Sequence, residues 1–173
     1  MKKPAPNLKS VPVKEIIEGP FTDIGLLPSR VAAMREKILE ASATFNIEQL
    51  RPAIERNEVM PLFGRAGERP RSFAKAIEFL RNHSYDGNGR EILLVLEAVF
   101  TAPFARVKRG PHVIFIWPAF ALIPPAEIDA DQGEAMLRCI AFADLVRDGF
   151  ARRPPYHRGE IGEDGTWHAF GVS

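Results

Sequence analysis

From Val31 onward apolar side chains return every three or four positions, at Val31, Met34, Ile38, Ala41 and Phe45, with Arg30, Arg35, Glu36 and Lys37 between them. That period lays one stripe along one side of a helix, and Pro28 suits a first turn, so the pattern predicts a core-facing helix beginning at Leu27. Asn46, followed three positions later by Gln49, reads as a capping pair for a second helix reaching about Asn57, kinked or shifted by Pro52. Residues 61–70, rich in breakers and arginine, read as a loop. Ser72 caps a third helix over 73–82, with Phe73, Ala76, Ile77 and Leu80 on one side. A fourth, over 90–102, carries Ile92, Leu93, Val95, Leu96, Val99 and Phe100 around so much of its circumference that it belongs in the centre; Pro103 ends it.

After Pro103 the period shortens. Residues 104–108 and 112–117 read as strands about an Arg-Gly-Pro turn, and the second, apolar at successive positions, as a strand covered on both faces. Residues 129–148 read as one last helix with Met136, Leu137, Ile140 and Leu145 inward. A hairpin closes the chain, 156–161 and 166–172 about Glu163-Asp164-Gly165. With Asp164 and Gly165 as its two loop residues, Ile161 faces His168 and Gly162 faces Trp167. Residues 1–26, interrupted by Pro4, Pro6, Pro12, Gly19, Pro20 and Gly25, read as an extended arm without regular structure. Residues 27–173 then form a single α+β domain, its N-terminal helices packed on a small antiparallel sheet built mainly from the C-terminal half.

Composition narrows the function classes. Twenty-three basic against 22 acidic residues leave a formal charge of +1, so no global field recruits nucleic acid. No stretch approaches the ~18 apolar residues of a membrane span. The N-terminus has charge but no apolar run of signal-peptide length before Phe21, so the chain as written reads as cytoplasmic, or as exported if a leader has been removed. The single Cys139, set among Met136, Leu137 and Ile140, excludes an internal disulfide and reads as a buried structural thiol.

Two clusters invite a metal. Around Asp86-Gly-Asn-Gly89 a calcium loop finds oxygen ligands at its third and fifth positions, but Val95 stands where the bidentate glutamate belongs. The carboxylate and amide read instead as the turn and cap of the helix that follows. His157, Glu160 and His168 look like a set, yet His157 stands roughly 13 Å of strand from His168, at ~3.3 Å per residue, and Glu160 points to the opposite face. Neither reading requires a metal or a cofactor. No phosphate loop, dinucleotide fingerprint or nucleophile elbow occurs, and the arginines at 65, 69, 71, 152, 153 and 158 read as solvated basic edges.

What remains is aromatic. Trp117, Phe120, Tyr156, Trp167 and His168 are the residues that could line an apolar pocket with a polar handle, so the expectation is a non-catalytic module that binds a small molecule or a protein partner. The competing expectation is a hydrolase or isomerase using His168 or His157 with an acidic partner from elsewhere in the fold; it requires a histidine with perturbed titration inside a closed pocket.

The segments Glu58-Val-Met-Pro-Leu-Phe63, Gly89-Arg-Glu-Ile-Leu93, Ile116-Trp-Pro-Ala-Phe120 and Gly162-Glu-Asp-Gly-Thr-Trp-His-Ala-Phe170, in that order, resemble a family of small, usually exported alphaproteobacterial proteins. The family tends to carry a second aromatic where this chain has Ala119, and it implies no particular activity or catalytic residue. Helices first, a curved sheet later and a final Asp-Gly-x-Trp strand are also similar to the nuclear-transport-factor-2-like cone, which implies a pocket between helices and sheet.

Overall fold

The computed structural model describes residues 15–64, 69–148 and 154–172. It is an α+β fold: a six-stranded sheet in the order β1-β3-β4-β5-β6-β2, together with six α-helices among the described residues. The strands are β1 (Glu15–Phe21), β2 (Leu62–Phe63), β3 (Phe104–Arg109), β4 (His112–Trp117), β5 (His157–Gly162) and β6 (Trp167–Val172); all neighbours pair antiparallel except β2, which runs parallel to β6. The helices are α1 (Ser29–Ala43), α2 (Arg51–Glu55), α3 (Phe73–Asn82), α4 (Arg90–Thr101), α5 (Ala130–Arg138) and α6 (Phe142–Asp148).

The helical half follows its periodicity except at Phe45, which lies past the end of α1, exposed and with a left-handed φ of +53°. Val31, Met34, Ile38 and Ala41 of α1 are buried, as are all six apolar residues named for α4. Ser72 accepts a hydrogen bond from the Lys75 amide at the start of α3, and Pro52 sits in the first turn of α2, where its missing N–H costs nothing. α4 meets the sheet at Gly159. The hydrogen-only residue on β5 leaves a hole that the Phe100 ring enters, flanked by Trp117 with ring centroids 5.4 Å apart and by Trp167 at 6.4 Å. Phe100 and both tryptophans are fully buried, so the centre of the domain is an aromatic cluster seated on a glycine.

Four expectations need correction. Residues 15–21 are not irregular: they form the edge strand β1, held to β3 by five registered pairs and by ion pairs from Glu18 to Arg106 and from Glu15 to Arg109. Residues 1–14 of the expected arm lie outside the described residues. Part of the 61–70 loop is strand β2, too short at two residues to show a period.

The expected helix over 129–148 is two. The Cys139 carbonyl turns away to accept the His157 amide at 2.7 Å, and Ile140 bridges to Tyr156, so the chain becomes sheet-like for two residues between α5 and α6. Cys139 is buried as expected and burial pushes its thiol up to about 12, whereas Leu137, expected inward, is exposed.

The hairpin register is shifted. Gly162 pairs with Thr166, leaving three loop residues, and Gly165 adopts the left-handed conformation (φ +87°) of a bulged turn. Ile161 therefore faces Trp167 rather than His168, and the extra residue, His168, is taken up in a bulge before Glu160 meets Ala169.

The loop before α4 behaves as a cap. The Asp86 carboxylate accepts the amides of Asn88 (2.6 Å), Glu91 (2.8 Å) and Arg90 (3.4 Å) together with the Ser84 hydroxyl. Burial works to raise its pKa, but these donors outweigh that and hold it below the usual range. Asp86→Ala leaves helix amides without partners and is expected to cost about 1–2 kcal/mol in urea unfolding.

Candidate functional site

A cavity of about 380 Å³ lies at the β5-β6-β2 end of the sheet, between α3 and α6. Its walls are apolar: Phe63 from β2, Phe79 and Leu80 from α3, Ile92 from α4, and Phe170 and Val172 from β6. Four polar side chains join them, His83 after α3, Asp144 and Arg147 from α6, and His157 from β5. The topology explains the meeting. β5 starts at the chain reversal with Cys139, so His157 emerges beneath α6, and the three-residue spacing of Asp144 and Arg147 brings both to one side of that helix. Glu91 fixes α6 in place. Its carboxylate accepts the amides of Tyr85 and Phe142, tying the first turn of α6 to the first turn of α4.

Asp144 and His157 are both almost wholly buried. One oxygen of Asp144, Oδ1, accepts from Arg147, while the other, Oδ2, stands 3.7 Å from His157 Nε2, beyond hydrogen-bond reach. Among the described residues, Asp144 Oδ2 and His157 Nδ1 are the buried side-chain polar atoms left without a partner. The His157 ring packs against Phe170 with centroids 5.0 Å apart. Desolvation dominates its titration: it outweighs the raising effects of Asp144 and of the hydrogen bond to Cys139, and with the smaller lowering by His83 and Arg147 it brings the pKa down to about 4. At neutral pH the imidazole is uncharged, so its contact with Asp144 is dipolar rather than an ion pair. His83 stacks on Phe79 at 4.0 Å and its Nδ1 lies 2.9 Å from the Phe79 carbonyl.

The five aromatic-set residues do not gather here. Trp117 and Trp167 flank Phe100 in the core, with the Trp167 amide accepted by Asn57 and its indole N–H by the Ala169 carbonyl. Phe120 and Tyr156 meet each other edge-on at 5.5 Å. His168 is exposed and lines a separate open groove with Arg30, His112 and Asp164. Glu160 is paired with Arg158 at 2.6 Å on the sheet face away from His157, so the triplet weighed in the sequence is not a site. Among the described residues no group of three or more His, Cys, Asp or Glu side chains could hold a metal ion, and no helix is long and apolar enough to cross a membrane.

Sequence reasoning named His157 but missed Asp144, Arg147, His83 and the phenylalanine walls. One signal was present: Asp144 interrupts the apolar series Phe142, Ala143, Leu145 and Val146, where a carboxylate has to face either solvent or a partner. No family model, no curated protein and no solved structure matches the chain.

Proposed function

We propose that this protein binds a small molecule in the cavity between α3, α6 and β6, with His157 and Asp144 at the polar end of the ligand. The observation that carries the reading is the pair of unpartnered buried atoms, His157 Nδ1 and Asp144 Oδ2, in residues lining an aromatic-walled cavity. Each such atom costs about 1–3 kcal/mol, and the two belong to neighbouring side chains of the cavity lining. The cavity is also of ligand size, at the small end of the usual range.

A second reading has one observation in its favour: a histidine with perturbed titration beside a carboxylate in a cavity is what a proton-transfer enzyme would use. Against it, a base whose conjugate acid has a pKa of about 4 is far from the neutral range where general bases work best. The carboxylate also stands too far away to orient the ring. Binding is therefore the reading placed first.

The test compares native and denatured mass for protein purified from its own organism, with Val172→Trp as a filled-cavity control. The expected result is extra mass on the wild type that disappears on denaturation and is absent from the variant. A ligand present at a hundred times its Kd would also add about 2.7 kcal/mol to unfolding, read as a higher Tm for the wild type alone. Extra mass retained equally by Val172→Trp would place the ligand elsewhere and overturn the reading.

A further inference from the structure

We infer that the cavity selects a flat aromatic ring over a saturated ring of the same skeleton; the inference rests on the binding reading above and names the class of ligand. The lining residues divide by exposure. Phe63, Leu80, Ile92 and Phe170 are almost wholly buried, already covered by the protein itself. A ligand would meet the lining side chains that keep accessible surface: Phe79, His83 and Val172, which are half-buried, and Arg147, which is exposed. Three of these four carry planar groups. On the α3 side the rings are stacked, Phe79 with Phe63 at 6.3 Å and an interplanar angle of 29°, and Phe79 with His83 at 4.0 Å and 25°. They are also held in place. His83 Nδ1 lies 2.9 Å from the Phe79 carbonyl, and the tip of the Phe79 ring fills the space a side chain at Gly64 would need, its Cζ 2.6 Å from an ideal Cβ there. On the α6 side the Arg147 guanidinium is anchored on Asp144.

Planar groups distinguish ligands that apolar area does not. Burying a hydrocarbon ring is favourable in proportion to its area, and on that count a saturated ring, the less well hydrated of the two, does at least as well as an aromatic one. An aromatic ring gains in addition from its quadrupole. It can make offset or edge-on contact with Phe79 and the His83 imidazole, and its face attracts the Arg147 guanidinium. That attraction is between a charge and a ring face and consumes no particular N–H, so it is compatible with Arg147 being engaged by Asp144. About 380 Å³ is well above the ~150 Å³ that suffices for a single benzene, so a two-ring skeleton fits.

The experiment measures the affinity of the full chain for two probes on one carbon skeleton, 2-naphthylmethanol and decahydro-2-naphthylmethanol, by calorimetry near neutral pH. Both carry the same hydroxymethyl group, so hydrogen bonding at the polar end cancels in the comparison. The expected result is 2-naphthylmethanol about fivefold tighter, the size of one aromatic contact beyond area burial, with both probes lost in Val172→Trp. Phe79→Leu keeps apolar bulk on the wall and removes the ring, so it is expected to bring the two affinities within about twofold of each other. His83→Leu, at the half-buried end of the stack, carries the same expectation and serves if Phe79→Leu does not fold. Equal wild-type affinities, or tighter binding of the saturated probe, would overturn the inference while leaving the cavity reading intact. An aromatic preference undiminished in the folded variants would mean that the thickness of the cavity, not its rings, sorts the probes, and would overturn the inference in the same way. Binding of neither probe, or binding that Val172→Trp leaves unchanged, would overturn it as well, and the native-mass comparison would then decide whether the cavity reading falls with it.

Discussion

Truncating Phe100 to alanine is expected to lower the free energy of unfolding by about 3–5 kcal/mol, the range for removing a fully buried aromatic ring. The ring sits over Gly159 between the two tryptophans, so its loss empties the middle of the contact between α4 and the sheet. The same geometry makes the glycine side of the pair sensitive. A Cβ at Gly159 would fall inside the Phe100 ring edge, and because Phe100, Trp117 and Trp167 are all fully buried, no neighbour can give way cheaply. Gly159→Ala should therefore cost about 1–3 kcal/mol by overpacking. The distinguishing result is the coupling. Shortening the ring in Phe100→Leu makes room for the methyl group, so the Gly159→Ala, Phe100→Leu pair should be more stable than the sum of the single changes predicts, by about 0.5–3 kcal/mol in urea unfolding. Strict additivity would mean that α4 does not rest on β5 at this point.

The helical half of this fold was legible because its signals are local. Three- and four-residue periods, a serine at 72 and a proline at 103 each act within a turn or two of chain, and α1, α3 and α4 lie within two residues of where these signals put them. The sheet was less legible in proportion to how far its partners lie in sequence. β3, β4, β5 and β6 carry runs long enough to read, but β1 is exposed along most of its length and is a strand because of residues about ninety positions away, chiefly Arg106 and Arg109. β2 is two residues long and is defined by its pairing with β6.

The candidate site shows the same division. His157 stood out as a residue type, but its surroundings depend on the break at Cys139, where a carbonyl leaves the helix to meet a strand that begins eighteen residues later. An unbroken helix over 129–148 hid that break and with it the placement of Asp144 and Arg147 over His157. The hairpin erred by one residue, and one residue was enough to give Trp167 the partner read for His168 and to leave His168 in a bulge. Aromatic residues drew attention as pocket candidates, but size and apolarity are equally what a core needs, and Trp117 and Trp167 are core. The cavity is marked by a different feature, polar atoms that burial leaves without partners, and that feature exists only once the chain has folded.

Acid should expose that feature directly. His157 is neutral in the folded protein with a pKa of about 4, against 6.5 for the unperturbed side chain. The sign follows from proton counting: between these values the unfolded chain binds a proton at this residue and the folded chain does not, so stability falls as the pH falls through the window. The shift corresponds to about 3 kcal/mol lost between about pH 7.5 and pH 4, a large fraction of the stability of a domain this size. Burial is the main cause, and Asp144 from α6, which favours the charged ring, moderates it, while His83 from the end of α3 and Arg147 from α6 add to it. Glu18, Asp86 and Asp164, held below the ordinary carboxylate range, add to the loss only below about pH 5, so the His157 effect is read between about pH 7.5 and pH 5. Urea unfolding across the window should therefore give a falling free energy for the wild type and a flatter profile for His157→Phe, which has no ring nitrogen to titrate. If the two profiles run parallel, His157 takes up its proton as readily folded as unfolded. The imidazole would then be charged beside Asp144 below neutral pH, both ring nitrogens would carry protons, and the contact between the two side chains would become an ion pair.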